Sequence, residues 1–302
     1  MTSEKIKIFL QEQYGKKALE IKKFKAGVLN DNYLVKTEKG NYVFRIYNFK
    51  NKEQVGFEAE LLEFLKKNNF LSPKLLADNY NELISNFDNK PCIFYEFIEG
   101  EQLKNITPEI MGQIGEVMAK LHNLSKNFQP LIKKSTWEPK ELKKIAAENK
   151  DKMLNSGFPR GKELMDFTEA ELAKYSFPET LPKGITHQDI KPENIIVKDN
   201  KIAGIVDFDN SYIGAFLHDI TTTIIWTCFE NNNLNESLMK ELLKGYEKER
   251  KLTEEEKKYL LSGIKFRLAR EVFIGPFVTM HLPELSRERA DYFINLYNNL
   301  NI

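Results

Sequence analysis

The chain has 302 residues, 41% hydrophobic and 29% charged, the composition of an ordinary soluble globular protein. Its 45 lysines and arginines nearly cancel 44 aspartates and glutamates, so net charge gives no reason to expect nucleic acid or an anionic membrane as a partner. One large domain or two modest ones fit this length.

The opening MTSEKIKIFLQEQYG is charged and helix-like. It lacks an apolar core and a small-residue cleavage site, so it does not read as a signal peptide. Cys92 and Cys228 lie far apart in apolar stretches and are expected as buried, reduced thiols in a cytoplasmic protein.

Residues 1–98 read as a strand-rich unit. LEIKKF (19–24) alternates loosely. Tyr33, Val35 and Thr37 alternate with Leu34 and Lys36, EKGN supplies a turn with Gly40 placed for a positive φ, and YVFRIY (42–47) alternates again. That is a β-hairpin pattern. In NKEQVGFEAELLEFLKKNN (51–69), Phe57, Leu61, Phe64 and Leu65 share a helical face. PCIFYEFIEG (91–100) is an apolar strand stopping at Gly100.

From about residue 101 helical patterns dominate. Thr107 is placed as N-cap, Pro108 at the first helical position and Glu109 in the first turn; Ile110, Ile114, Val117, Met118 and Leu121 form the stripe. EPKELKKIAAENKDKML (138–154) is a charged amphipathic helix. Two short strands, IIV and IAGIVDF, flank a KDNK turn within 184–209. IGAFLHDITTTIIWTCF (213–229) contains His218 and Asp219 and reads as a buried helix, not a membrane span. Neither repeats nor flexible linkers are found.

The stretch HQDIKPENIIV (187–197) differs by one letter over eight from the HRDIKPEN loop of protein kinases. Phosphoryl transfer needs phosphates held, their charge neutralised and the acceptor hydroxyl aimed in line. Asp189 is the candidate base. Asn194, five residues on, and Asp207, opening DFD, are candidate magnesium ligands. His187 is read as a loop brace; no third ligand at zinc-type spacing supports a metal role. The candidate phosphate cation is Arg45, inside an apolar strand, with Glu58 in the apolar arc of the next helix as its partner. Two unrelated surface charges are the alternative. KAGVLNDNY has only Gly27 where a kinase carries a glycine-rich loop, and no G-x-x-x-x-G-K-[ST] occurs. Asn30 and Asn32 would then have to cover the phosphates.

Three features depart from protein kinases. Gln188 replaces the loop arginine, DFD replaces D-F-G, and only DFDNSYIGAFL separates Asp207 from His218–Asp219. No activation segment ending in A-P-E fits there, so the acceptor is expected to be small.

These stretches, with FEAELLEFL, YEFIEGEQL, IGEVMAKLHNLS, LPKGITHQDIKPENIIV, GYEKERKLTEEEKKYL and FRLARE, resemble the aminoglycoside phosphotransferase/choline kinase superfamily over nearly the whole chain. Within it the chain is most similar to the type II homoserine kinases of kinase-like fold. The resemblance implies an α+β, protein-kinase-like two-lobe fold: a small N-terminal antiparallel sheet lobe with one main helix (1–98), and a larger, mainly helical C-terminal lobe (99–302) for catalysis and acceptor binding. It implies ATP and Mg2+, with Asp189 as base, Asn194 and Asp207 on the metal, and Arg45 with Glu58 at the phosphates. Adenine should bond the backbone near Glu96, Phe97 and Ile98, and Asp219 should brace the loop. Lys191 could contact the γ-phosphate or be solvated; Asp209 could bind metal or substrate.

Homoserine, the leading acceptor, needs a cation for its carboxylate, with Arg267 or Arg270 as candidates, and an acceptor for its ammonium, with Asp209 or Glu230. A surface or structural ion-pair role is the alternative for these arginines. A kinase of an aminoglycoside, choline, ethanolamine or methylthioribose, and a nucleotide-binding pseudokinase, are the competing readings. No nucleic-acid or membrane partner is expected, and a monomer or homodimer fits.

Overall fold

The computed structural model describes residues 2–24, 29–132, 137–155, 160–278 and 283–300, with side chains left out for 275–278 and 283–288. In chain order the elements are α1 (Ser3–Tyr14), β1 (Glu20–Lys23), β2 (Asn30–Thr37), β3 (Gly40–Tyr47), α2 (Lys52–Lys67), β4 (Ser85–Phe87), β5 (Lys90–Glu96), β6 (Glu101–Gln102), α3 (Pro108–Leu124), α4 (Pro139–Asn155), α5 (Gly161–Lys174), β7 (Lys183–Thr186), β8 (Ile195–Lys198), β9 (Lys201–Ile205), β10 (Tyr212–Ala215), α6 (Phe216–Thr227), β11 (Phe229–Glu230), β12 (Asn233–Leu234), α7 (Glu236–Glu249), α8 (Glu254–Val278) and α9 (Pro283–Asn299). They form two compact units.

The first unit comprises residues 1–102, 127–134 and 194–209. Its antiparallel sheet has the order β1-β2-β3-β5-β4. The β2–β3 register pairs Thr37 with Gly40, whose φ is 134°, a region costly for any residue with a Cβ. Ile6, Leu10 and Tyr14, four residues apart, make the buried stripe of α1. They pack with Tyr42, Phe44 and Ile46 of β3 and with Phe94 of β5. Val43, Arg45 and Tyr47 alternate with that set, so they lie on the other sheet face. Helix α2 opens with a capping box between Asn51 and Gln54. It buries Glu58 among Val55, Phe57, Leu61, Leu62 and Leu65. The hairpin β8–β9 turns at Asp199 and Asn200, both with positive φ, as a two-residue hairpin turn requires.

The second unit comprises residues 103–126, 135–193 and 210–302 and is mainly helical. Thr107 caps α3 through Ile110 N–H, as the sequence predicts. The buried face of α3 holds Ile110, Ile114, Met118 and Leu121 of the expected stripe and is wider than it: Met111, Ala119 and His122 are also buried, while Val117 is only half-buried. The close packing on this face follows from glycine. A Cβ on Gly115 would strike the Leu242 carbonyl, and one on Gly245 the Gly112 carbonyl, so α3 and α7 meet backbone to backbone. Helix α6 begins at Phe216, after the separate strand β10, and not at the start of the expected apolar run. Its threonines return hydroxyls to the helix: Thr222 Oγ1 donates to His218 O at 2.6 Å and Thr227 Oγ1 to Thr223 O at 2.6 Å. This lets a threonine-rich helix be buried. Among the described residues no helix is long and apolar enough to cross a membrane. Cys92 and Cys228 are both buried and unpaired.

Candidate active site

In the first unit the chemistry gathers around Arg45. The strand β3 puts its guanidinium under the sheet, where only 4% of the residue is exposed. Nη2 lies 2.7 Å from Asp207 Oδ1 and 3.0 Å from Asp209 Oδ2, and Nη1 lies 3.9 Å from Glu58 Oε1. Burial alone would lower the Arg45 pKa; Asp207, Tyr47, Glu58 and Asp209 outweigh it and keep the group a fixed cation. Glu58 is shifted upward, because burial exceeds what Arg45 returns. It accepts from Tyr47 OH at 2.8 Å. Asp209 also receives Asn30 Nδ2 at 2.9 Å and Lys50 Nζ at 3.3 Å. Two cations here face three carboxylates. Asn194, buried, joins this unit through its carbonyl, which accepts Val206 N–H at 2.9 Å. Asp207 adopts a left-handed backbone, φ 70°, which holds its carboxylate at the turn. The oxygen-rich set of Asn194, Asp207 and Asp209 fits a hard divalent cation by donor type and by charge. Among the described residues no cluster of three or more His, Cys, Asp or Glu side chains gathers as an all-protein metal site.

In the second unit the loop after β7 carries Asp189. Gln188 has φ 67°, a conformation costing a residue with a Cβ roughly 1–2 kcal/mol. The surroundings hold it there. Gln188 N–H donates to Asp219 Oδ1 at 2.7 Å and His187 N–H to Asp219 Oδ2 at 2.9 Å. Arg267 Nη2 donates to Gln188 O at 2.9 Å. Asp189 N–H donates to His187 Nδ1 at 3.2 Å. Lys191 Nζ lies 2.9 Å from Asp189 Oδ2 and over the Trp226 ring, so it is engaged within the loop and only partly exposed.

Asp219 is itself fixed by residues that the sequence reading missed. His122 Nε2 lies 3.1 Å from Asp219 Oδ2, and His122 Nδ1 lies 2.6 Å from Tyr246 OH. Burial would raise the Asp219 pKa, but His122 and the loop N–H of His187 pull it below the usual carboxylate range. A carboxylate only accepts, so His122 carries its proton on Nε2 and takes Tyr246 OH on Nδ1. Arg250 Nη1 donates to Tyr246 OH at 2.9 Å and is paired with buried Glu256. The chain of bonds therefore runs Arg250, Tyr246, His122, Asp219, Asp189 loop. One signal was in the sequence: His122 sits four residues after Met118, on the apolar face of its helix.

Behind the loop, α8 presents a second charge cluster. Glu271 accepts from Arg267 at 3.1 Å, Arg270 at 2.8 Å and Arg289 at 3.0 Å. Burial would raise its carboxyl, yet the three guanidiniums bring it down to about 2. Burial, then Arg267, lower Arg270 to about 9 despite Glu271.

The remaining expected residues fall as follows. Asn32 pairs in register with Arg45, and its buried Oδ1 has no partner among the described residues. Gly27 lies outside the described residues. Glu96 N–H and Phe97 N–H donate to Lys74 O and Asn41 O, so neither is a donor for a base. Ile98 follows directly. Glu230 is exposed on β11 and accepts from Asn235 at 2.7 Å. It has no described contact with the Glu271 cluster, and Asp209 is engaged with Arg45 and Lys50.

The model of the APH phosphotransferase enzyme family matches residues 20–254. The chain belongs to this family. Among curated relatives, a homoserine kinase of Xanthobacter autotrophicus is 28% identical over 239 residues, covering 76% of this chain and 72% of the relative. One from a Caulobacter species is 28% identical over 261 residues, 85% and 80% of the two chains. Among solved structures, an amicoumacin kinase in complex with AMP-PNP and Ca2+ has a TM-score of 0.76 at 15% identity, covering 99% of this chain and 94% of that one. A microcompartment-associated aminopropanol kinase has a TM-score of 0.71 at 15% identity, covering 97% and 94%. The fold is thus that of the family, α+β and protein-kinase-like, with an N-terminal antiparallel sheet and a helical C-terminal part. Phosphoryl transfer is its class of reaction.

Proposed function

We propose that the protein transfers the γ-phosphoryl group of ATP to the hydroxyl of homoserine in the cytoplasm, giving O-phosphohomoserine and ADP. The observation that carries the phosphotransferase reading is the Asp189 loop. Its strained Gln188 is held by Asp219 and Arg267, and such strain persists where geometry serves function. Relatives named homoserine kinase, aligned over most of their length, support the acceptor.

In this reading Asp189 accepts the acceptor's hydroxyl proton as the oxygen bonds the γ-phosphorus. The bond from that phosphorus to the β,γ-bridging oxygen breaks, and ADP leaves. Asn194 and Asp207 would hold Mg2+, which supplies charge neutralisation to the phosphate oxygens. Arg45, fixed by Glu58, and Lys191 are the proposed phosphate contacts, and Ile98 N–H the adenine donor. His187 and Asp219 position the loop.

Purified protein with MgATP should release ADP when homoserine is added. Asp189→Asn should lower kcat about 10²–10⁴-fold with ATP binding retained. Turnover of another hydroxyl compound but not homoserine would remove the acceptor and leave the reaction. ATP binding without turnover across amino alcohols, sugars and aminoglycosides would return the chain to a binding role.

A further inference from the structure

Among the described residues, the Glu271 cluster holds more positive charge than it neutralises. Arg267, Arg270 and Arg289 meet the single carboxylate of Glu271, and Lys191 adds a fourth cation beside Asp189. Burying an uncompensated cation is costly. Arg267 and Arg270 are 3% and 4% exposed, Gln188 2%. Their leftover polar atoms are all donors: Nε of Arg267, Arg270 and Arg289, Nε2 of Gln188, and Nε1 of Trp226 have no acceptor among the described residues. A neutral acceptor could satisfy an N–H, but only an anion answers the charge as well. Its position identifies which anion. Arg267 grips the Gln188 carbonyl and Gln188 Oε1, one residue from Asp189, where the acceptor hydroxyl belongs. The ring of Trp226 lies under both Lys191, at 5.5 Å, and Arg289, at 5.1 Å, restraining the cations by cation–π attraction.

We infer that Arg270 and Arg289, with Arg267 and Gln188, form a carboxylate site for the acceptor, so that the enzyme takes hydroxy acids or amino acids rather than amino alcohols or aminosugars. The inference rests on the phosphotransferase reading above and adds the group that selects the substrate. Glu271 is the positioning residue that holds the three guanidiniums together.

Three acceptors separate the groups: homoserine, 4-hydroxybutanoate without the ammonium, and 3-aminopropan-1-ol without the carboxylate. Wild-type protein should use homoserine with a kcat/KM about 10–100-fold above 3-aminopropan-1-ol, the worth of one charge-assisted pairing. Arg270→Met should raise KM for homoserine by a similar factor, leave KM for ATP unchanged and narrow the preference for carboxylate. Arg289→Met, at a half-exposed position where folding is less at risk, should do the same to a smaller extent. Independently of turnover, homoserine and 4-hydroxybutanoate should raise the unfolding temperature of wild-type protein and not of Arg270→Met. Equal or better use of 3-aminopropan-1-ol overturns the carboxylate site while the kinase stands. A rise in KM for ATP in the arginine variants also overturns it, assigning the cluster to the nucleotide. If no acceptor turns over, the kinase reading fails, and the temperature shift alone decides the site: its absence with every carboxylate sinks the inference.

Discussion

Glu58 and Glu271 are the same side chain at the same depth, 3% and 2% exposed, yet their acidities move in opposite directions. Glu58 rises because burial dominates and one arginine at 3.9 Å returns too little. Glu271 falls to about 2 because three guanidiniums lie within 3.1 Å. Depth therefore does not decide the protonation of a buried carboxylate; the local count of countercharges does. The two clusters are near mirror images. Among the described residues, two cations face three carboxylates around Arg45; around Glu271, with Lys191 and Asp189, four cations face two. The first is short of positive charge, and the second is short of negative charge.

Neutralising each glutamate tests the comparison most directly. Glu271→Gln leaves the buried guanidiniums of Arg267 and Arg270, and the half-exposed one of Arg289, without their carboxylate and should cost about 3–5 kcal/mol of folding stability, the range for breaking a buried pair from one side. Urea unfolding at pH 7 measures it. In the wild type the Glu271 contribution is complete above about pH 4.5 and lost as pH falls through the folded value of about 2. A cost under about 1 kcal/mol would show that the cluster's positive excess is met by something else.

The reach of that excess can be read at His218. Burial first, then Arg267 and Arg270, bring its pKa down to about 3. A histidine held below its unfolded value of about 6.5 contributes stability that is complete above that pH and declines on acidification. His218→Phe, between the rings of Phe177 and Phe266, should flatten the pH dependence of stability between about pH 6 and 4 by about 1.4 kcal/mol per pH unit. Unfolding curves at four pH values check this. An unchanged slope would mean that His218 does not feel the arginines.

The smallest effect is expected at Glu58. Its charged form is already disfavoured, so Glu58→Gln, which keeps an acceptor for Tyr47 OH, should change stability by less than about 1 kcal/mol. A loss as large as that of Glu271→Gln would erase the distinction between the clusters.

Features that depend on neighbouring residues were legible in the sequence. The hairpin turn at Gly40, the Thr107 cap and the inward faces of Arg45 and Glu58 follow from short-range pattern. Contacts between distant segments were not. Nothing in FRLARE tells that Glu271 would gather Arg289 from another helix. The link from Tyr246 to His122 depends on Gly115 and Gly245 letting α3 and α7 touch, and a glycine in a helix carries no periodic signal. For the same reason Asp209, read as a metal or substrate ligand, also proved to be bound to Lys50 and Asn30.

The chain has two tryptophans, and each lies against an arginine of the Glu271 cluster: Trp226 under Arg289 at 5.1 Å, Trp137 under Arg270 at 5.7 Å. Intrinsic tryptophan emission therefore originates wholly from the helical unit, beside the proposed carboxylate site. The protein carries its own optical reporter there, one that needs no label and is silent on the sheet unit.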